Sequence, residues 1–153
     1  MVMLDNKINA YYRAVLSSID VRNSKETNLV LLREVMEVLP LLSKSACDIV
    51  YSGRIAKCVY APNDVVTSQC FYTIPSANGT LQYLVMHGYC TCFHFAENVL
   101  ARESAFTCKH ELACLILEHL GPDLGSNHAS LFHSVEELDE PEYLERLHLL
   151  HDI

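Results

Sequence analysis

The chain has 153 residues, half of them hydrophobic and 20% charged, with five glycines and five prolines. That length suits one domain with a real core, and the composition is globular, not disordered. Nineteen acidic against eleven basic side chains give a formal charge of -8, with no lysine or arginine cluster. A protein that grips nucleic acid unaided normally carries a basic patch, so the isolated chain is expected to bind DNA or RNA weakly.

The apolar runs are short, Ala113 to Leu117 being typical, whereas a membrane span needs roughly 20 residues. The opening "MVMLDNKINAYYRAVLSSID" turns polar at once and has no signal-peptide core. A soluble protein of the cytosol or nucleus is expected. The seven cysteines, an odd number without an export signal, point to reduced thiols and not to a disulfide framework. Asn78-Gly79-Thr80 then reads as a tight turn and not as a glycosylation acceptor.

The first part, residues 1–52, reads as helical. Ile8, Tyr11, Tyr12, Val15 and Ile19 share one helix face, with Asp5 as its cap. Leu32, Val35, Met36 and Leu39 repeat the period, and Pro40 ends or kinks that helix. A shorter helix is expected from Ser43 to Gly53. Residues 54–120 change character: "RIAKCVYA", "SQCFYTI" and "TLQYLVMHGY" are strand-like. Asn78-Gly79 between the last two predicts a hairpin that delivers the chain into Cys90. After His110 the helical period returns, with Leu112, Leu115, Ile116 and His119 or Leu120 on one face and Gly121-Pro122 as the stop. In residues 121–153, "GPDLGSNHAS" is a polar loop and a last helix begins near Asp139. Pro141 falls in its first turn, and Tyr143, Leu144, Leu147 and Leu150 are its buried side. The expected architecture is a single α+β domain of N-terminal helices, a small antiparallel sheet and C-terminal helices.

Two tight pairs of metal-ligand side chains stand in "CTCFHFAENVLARESAFTCKH". Cys90 and Cys92 fall where a strand ends, so both can turn onto one ion. Cys108 and His110 point apart if both lie within a regular helix, so Cys108 must precede the helix and His110 must lie in its first turn. The helix N-terminus then helps to stabilise the Cys108 thiolate. Three sulfurs and one nitrogen form a closed tetrahedral set for structural zinc. A lone Cys-x-Cys is more often a pair of small buried hydrophobes, but both pairs together, at a strand end and a helix start, favour the metal. "HELAC", residues 110–114, lacks the second histidine of a zinc-protease His-Glu-x-x-His, having Cys114 instead. The filled ligand set leaves no open position for water, so no metal hydrolase is expected. Nor does a glycine-rich phosphate loop suggest a nucleotide site. Cys47, Cys58 and Cys70 read as structural, His87 and His94 as neighbours of the metal pairs, and "EELDEPE" as a solvated helix start.

The pattern Cys-x-Cys, spacer, Cys-x-His resembles that of SWIM zinc fingers, which have a strand-strand-helix frame. The segment "CTCFHFAENVLARESAFTCKHELAC" is similar to that of the SWIM-domain subunits of Shu-type complexes, the zinc finger SWIM domain-containing protein 7 family. That family is marked by an alanine three residues after the histidine, supplied here by Ala113. Val99-Leu100 and "CKH" also match, whereas Phe93 stands where a small residue or proline belongs and leaves His94 as a competing ligand. The resemblance implies zinc as the metal, held by Cys90, Cys92, Cys108 and His110. It also implies a non-catalytic, nuclear subunit with RecA-like recombinase paralogs as hetero-oligomeric partners, promoting recombinase filaments on single-stranded DNA in homologous recombination and DNA repair. DNA would be met mainly through the complex, with no small-molecule substrate. Ala113 is then either a docking position for the partner or a packing position under the zinc knuckle. The alternative is a SWIM adaptor in another complex, related to ubiquitin ligases or transposases.

Overall fold

The computed structural model describes residues 6–121 and 131–151. Its first helix, α1 (Asn6–Ser17), buries only part of the expected stripe, with Tyr12, Val15 and Ile19 joining the core. Ile8 and Tyr11 are exposed, while Asn9, Val15, Leu16 and Ile19 are buried. Two polar side chains, Asn9 and Arg13, belong to the inward side of α1 because each finds hydrogen-bond acceptors there. An apolar count alone rotates such a helix the wrong way. The expected cap Asp5 lies outside the described residues.

Ser24 caps α2 (Lys25–Val38) by accepting a hydrogen bond from the Thr27 backbone N–H. Leu39 breaks the helical path, and Pro40 begins α3 (Pro40–Tyr51), three residues before the expected start. Proline fits a first helical position because its fixed φ suits the helix and its missing N–H has no partner there. Gly53, with φ +68°, then turns the chain into the sheet.

Five strands form one mixed sheet in the order β4-β3-β2-β1-β5. These are β1 (Ile55–Tyr60), β2 (Cys70–Pro75), β3 (Gln82–Met86), β4 (Tyr89–Cys90) and β5 (Phe132–Leu138). The Asn78-Gly79 turn joins antiparallel β2 and β3 as expected, with Gly79 at φ +75° and Asn78 Oδ1 accepting from the Thr80 N–H. "TLQYLVMHGY" is not one strand, however. It reverses again at His87-Gly88, where Gly88 holds φ +95°, and β4 pairs back on β3. The expected antiparallel sheet also gains β5, parallel to β1. Glu136 to Leu138 of the acidic run are therefore sheet residues and not a helix start.

Successive strand residues point to opposite faces, and the two faces carry separate cores. Tyr72, Ile74 and Val85 face the helices, joining Leu16, Leu32, Val35 and Ala46 with α4 (Lys109–Leu120). Phe71 and Leu84 face the other way, against Leu138 of β5 and against Tyr143 of α5 (Glu140–His151). Tyr143 is buried and Leu147 and Leu150 half-buried as expected, but Leu144 is exposed. Asp139 Oδ1 accepts from the Glu140 N–H at the start of α5. The helix α4 runs through the middle: His110 to Leu117 are all buried, so it has an apolar girdle and not the single face expected. The architecture is α+β. No described helix is long and apolar enough to cross a membrane. Residues 122–130, most of the expected polar loop, lie outside the described residues.

Candidate metal centre

The second reversal builds the first ligand pair. Gly88 permits the tight turn, β4 ends at Cys90, and the chain enters a π-helical turn, Phe95–Ala101, just after Cys92. The second pair sits at the start of α4, where Cys108 is the N-cap in extended conformation and His110 lies in the first turn. The geometry is the one that avoids the opposed directions of i and i+2 inside a helix.

Cys90, Cys92, Cys108 and His110 are all buried, and one ligand atom from each lies within 4.8 Å of all the others. The cluster could hold a metal ion. Among the described residues no other group of three or more such side chains converges in this way. All seven cysteines are free thiols.

Two backbone donors prepare the sulfurs. The Phe95 N–H donates to Cys92 Sγ and the Glu111 N–H to Cys108 Sγ, each at 3.4 Å. Amides at the start of a helical turn favour a thiolate over a thiol. Hydrogen bonds from Cys108 and then Cys90 hold the Cys92 thiol far below its ordinary range. Cys108, in return, is pushed far above that range by its bonds to Cys90 and Cys92 and by burial. Cys90 also ends high, because the bond with Cys108 that lowers it is outweighed by the bond with Cys92 and by burial. A metal bound here would displace the protons these thiols share, since metal binding releases protons from its ligands. His110 fits the same role: its ring packs on Tyr83 at 4.5 Å between centroids, and its Nδ1 is buried without a hydrogen-bond partner. Such an atom is rare in a folded protein and calls for a partner, of which a cation is one.

The remaining sequence candidates lie elsewhere. His94 is half-buried, with Nδ1 3.0 Å from Asn98 Nδ2, and does not join the cluster. His87 is exposed and its Nε2 lies 2.8 Å from the Leu16 carbonyl. Cys114 packs in the core, and burial pushes its thiol well up. Ala113 is completely buried in the same core. Its side chain presents nothing to the surface, so of the two expectations for it the packing position is the one the geometry favours.

Glu111 and Arg13 were not singled out in the sequence. The Glu111 carboxylate is 1% exposed and accepts three hydrogen bonds, from Gly88, Thr107 and Arg13. The available signal was an acid set between the ligand His110 and an unbroken run from Leu112 to Leu117. A carboxylate in such a place is buried only if it is paired.

A cavity of about 630 Å³ opens between the α1–α2 connection, the β1–β2 loop and α4. It does not include the metal ligands. Its polar floor is self-satisfied: Tyr72 Oη donates to Glu118 Oε1 at 2.6 Å, and Lys57 pairs with the same carboxylate. No family model, curated protein or solved structure matches the chain. Fold and site together define a small α+β protein with a buried three-cysteine, one-histidine centre able to hold a metal.

Proposed function

We propose that the centre holds structural zinc and that the protein is a non-catalytic SWIM-type subunit of a Shu-type complex, acting with RecA-like recombinase paralogs in homologous recombination. The observation that carries the zinc reading is the convergence of three sulfurs and one ring nitrogen, all buried, within 4.8 Å. Ligands at about 2.3 Å around a tetrahedral zinc stand roughly 3.8 Å apart, so the cluster needs little adjustment. Four protein ligands leave no coordination position for water, which supports a structural and not a hydrolytic ion. The complex is proposed on the resemblance of residues 90–114 to SWIM subunits, with Ala113 placed three residues after the histidine ligand. A nuclear location follows from that role.

Affinity capture of the full chain from its native cell, followed by mass spectrometry, tests the reading. Recombinase paralogs are the expected partners. Recovery of ubiquitin-ligase or transposase components in their place would support the adaptor alternative and overturn this one.

The charge sets a second expectation. Three zinc-bound thiolates and one dication take the formal -8 to about -9, which repels phosphate. Lys109 is exposed, but Arg102 is already paired with Glu97 at 2.8 Å. DNA contact therefore belongs mainly to the partner. The pure chain should show no submicromolar binding to single-stranded DNA by fluorescence anisotropy. Tight, salt-sensitive binding would contradict the assignment of DNA contact to the partner.

A further inference from the structure

The two ligand pairs come from different parts of the chain, yet one carboxylate touches the approach to both. Glu111 Oε2 accepts from the Gly88 N–H at 2.6 Å, two residues before Cys90. Its Oε1 accepts from Thr107 Oγ1 at 2.8 Å, the residue before Cys108. The same oxygen accepts from Arg13 Nη1 at 2.9 Å, and Arg13 belongs to α1, which supplies no ligand. Arg13 also donates to the Phe106 carbonyl at 2.8 Å, and its guanidinium lies 5.5 Å from the centre of the Phe95 ring. One turn earlier, Asn9 donates from Nδ2 to the carbonyls of Glu103 and Ala105, both at 3.1 Å. Residues four apart on a helix share a face, so one face of α1 holds the spacer that separates the two ligand pairs.

We propose that Arg13 and Glu111 are positioning residues for the metal, fixing the two ligand pairs at the separation one ion requires. This inference rests on the metal reading of the centre. A carboxylate that is 1% exposed is expensive to bury unless it is paired and hydrogen-bonded, and here one cationic, one hydroxyl and one amide donor satisfy it. Two of those donors, Gly88 and Thr107, sit on segments whose placement sets a ligand, and the third, Arg13, ties the carboxylate to α1. Gly88 has little latitude because its backbone holds φ +95°, which an L side chain rarely adopts, and Arg13 Nη2 lies in ordinary contact beside it. Metal affinity is therefore coupled to the docking of α1. The coupling is reciprocal, so loading the metal tightens α1 against the spacer.

The test uses the full chain with Glu111→Gln, Arg13→Gln, the double variant and the milder Thr107→Val and Arg13→Lys. Zinc dissociation constants are read by competition with a fluorescent zinc chelator, and ligand geometry by the absorption bands of the cobalt(II) form. Changing residues that orient metal ligands typically weakens metal binding by about 10–100-fold, and that range is expected for each glutamine variant, with altered cobalt bands. The double variant should be weakened by less than the sum of the two single effects, because the two residues share the Arg13–Glu111 contact. Should the glutamine variants fail to fold, Thr107→Val and Arg13→Lys decide, with a smaller weakening expected from each. Wild-type zinc affinity and cobalt bands in every folded variant, whatever their melting temperatures, would overturn the proposal and leave the metal reading intact. If the wild-type chain takes up neither metal, both fall together.

Discussion

Replacing His110 by alanine is expected to abolish stoichiometric zinc and to unfold the region between the β3–β4 reversal and α4. Three buried thiols would remain around a lost fourth ligand, within a core that includes Cys90, Cys92, Cys108, Phe95 and Leu112. Apparent zinc-binding free energies in small zinc modules are about 10–16 kcal/mol at neutral pH, comparable to the whole stability of a typical domain, about 5–15 kcal/mol. Loss of the ion therefore cannot be absorbed by packing alone. Elemental analysis should find one zinc per wild-type chain and none in His110→Ala. Circular dichroism should show a strong chelator to have the same effect on the wild type. His94→Ala is the control, because His94 bonds to Asn98 and stands apart from the cluster; it should retain one zinc and a near-normal melt. A well-folded, monodisperse wild-type protein with no zinc would sink the metal reading.

The residues of the site were legible in the sequence because their signal is chemical and local. Cys-x-Cys at a strand end and Cys-x-His at a helix start constrain the backbone wherever they fall, and Cys108 does cap α4. Most of what escaped depends on partners remote in the chain. The strand β5 is an edge strand with exposed His133, Val135, Glu136 and Glu137, so it lacks the regular apolar alternation of a half-buried strand and is defined by its parallel pairing with β1. The reversal at His87-Gly88 was hidden by strand-like residues on both sides of it. The tilt of α1 was misjudged because Asn9 and Arg13 look like surface residues until the spacer carbonyls and Glu111 are brought against them. The α1 miss concerns polar groups whose partners lie more than 90 residues away, and the β5 miss a pairing with β1 more than 70 residues away; periodicity carries no information about such contacts.

Ala113→Thr is expected to lower stability in the isolated protein and not to remove a docking contact selectively. Ala113 is 0% exposed, as are Leu112 and Leu117 on the same helix. Its methyl therefore lies inside the main core, and a larger side chain must displace packed neighbours. Overpacking of this kind typically costs about 1–3 kcal/mol. For a chain of this size each kcal/mol moves the melting temperature by roughly 2–4 °C, so a fall of about 2–12 °C is expected, with or without the partner. Partner capture should then follow the folded fraction: retained at low temperature where Ala113→Thr is native, lost as it melts. Zinc content should stay at one per chain in the folded fraction, since Ala113 supplies no ligand atom to the cluster. The docking account makes the opposite forecast, an unchanged melt with capture lost at every temperature. Thermal denaturation of the pure variant beside capture at two temperatures separates them. An unchanged melt would mean that the core around α4 yields more easily than its burial implies.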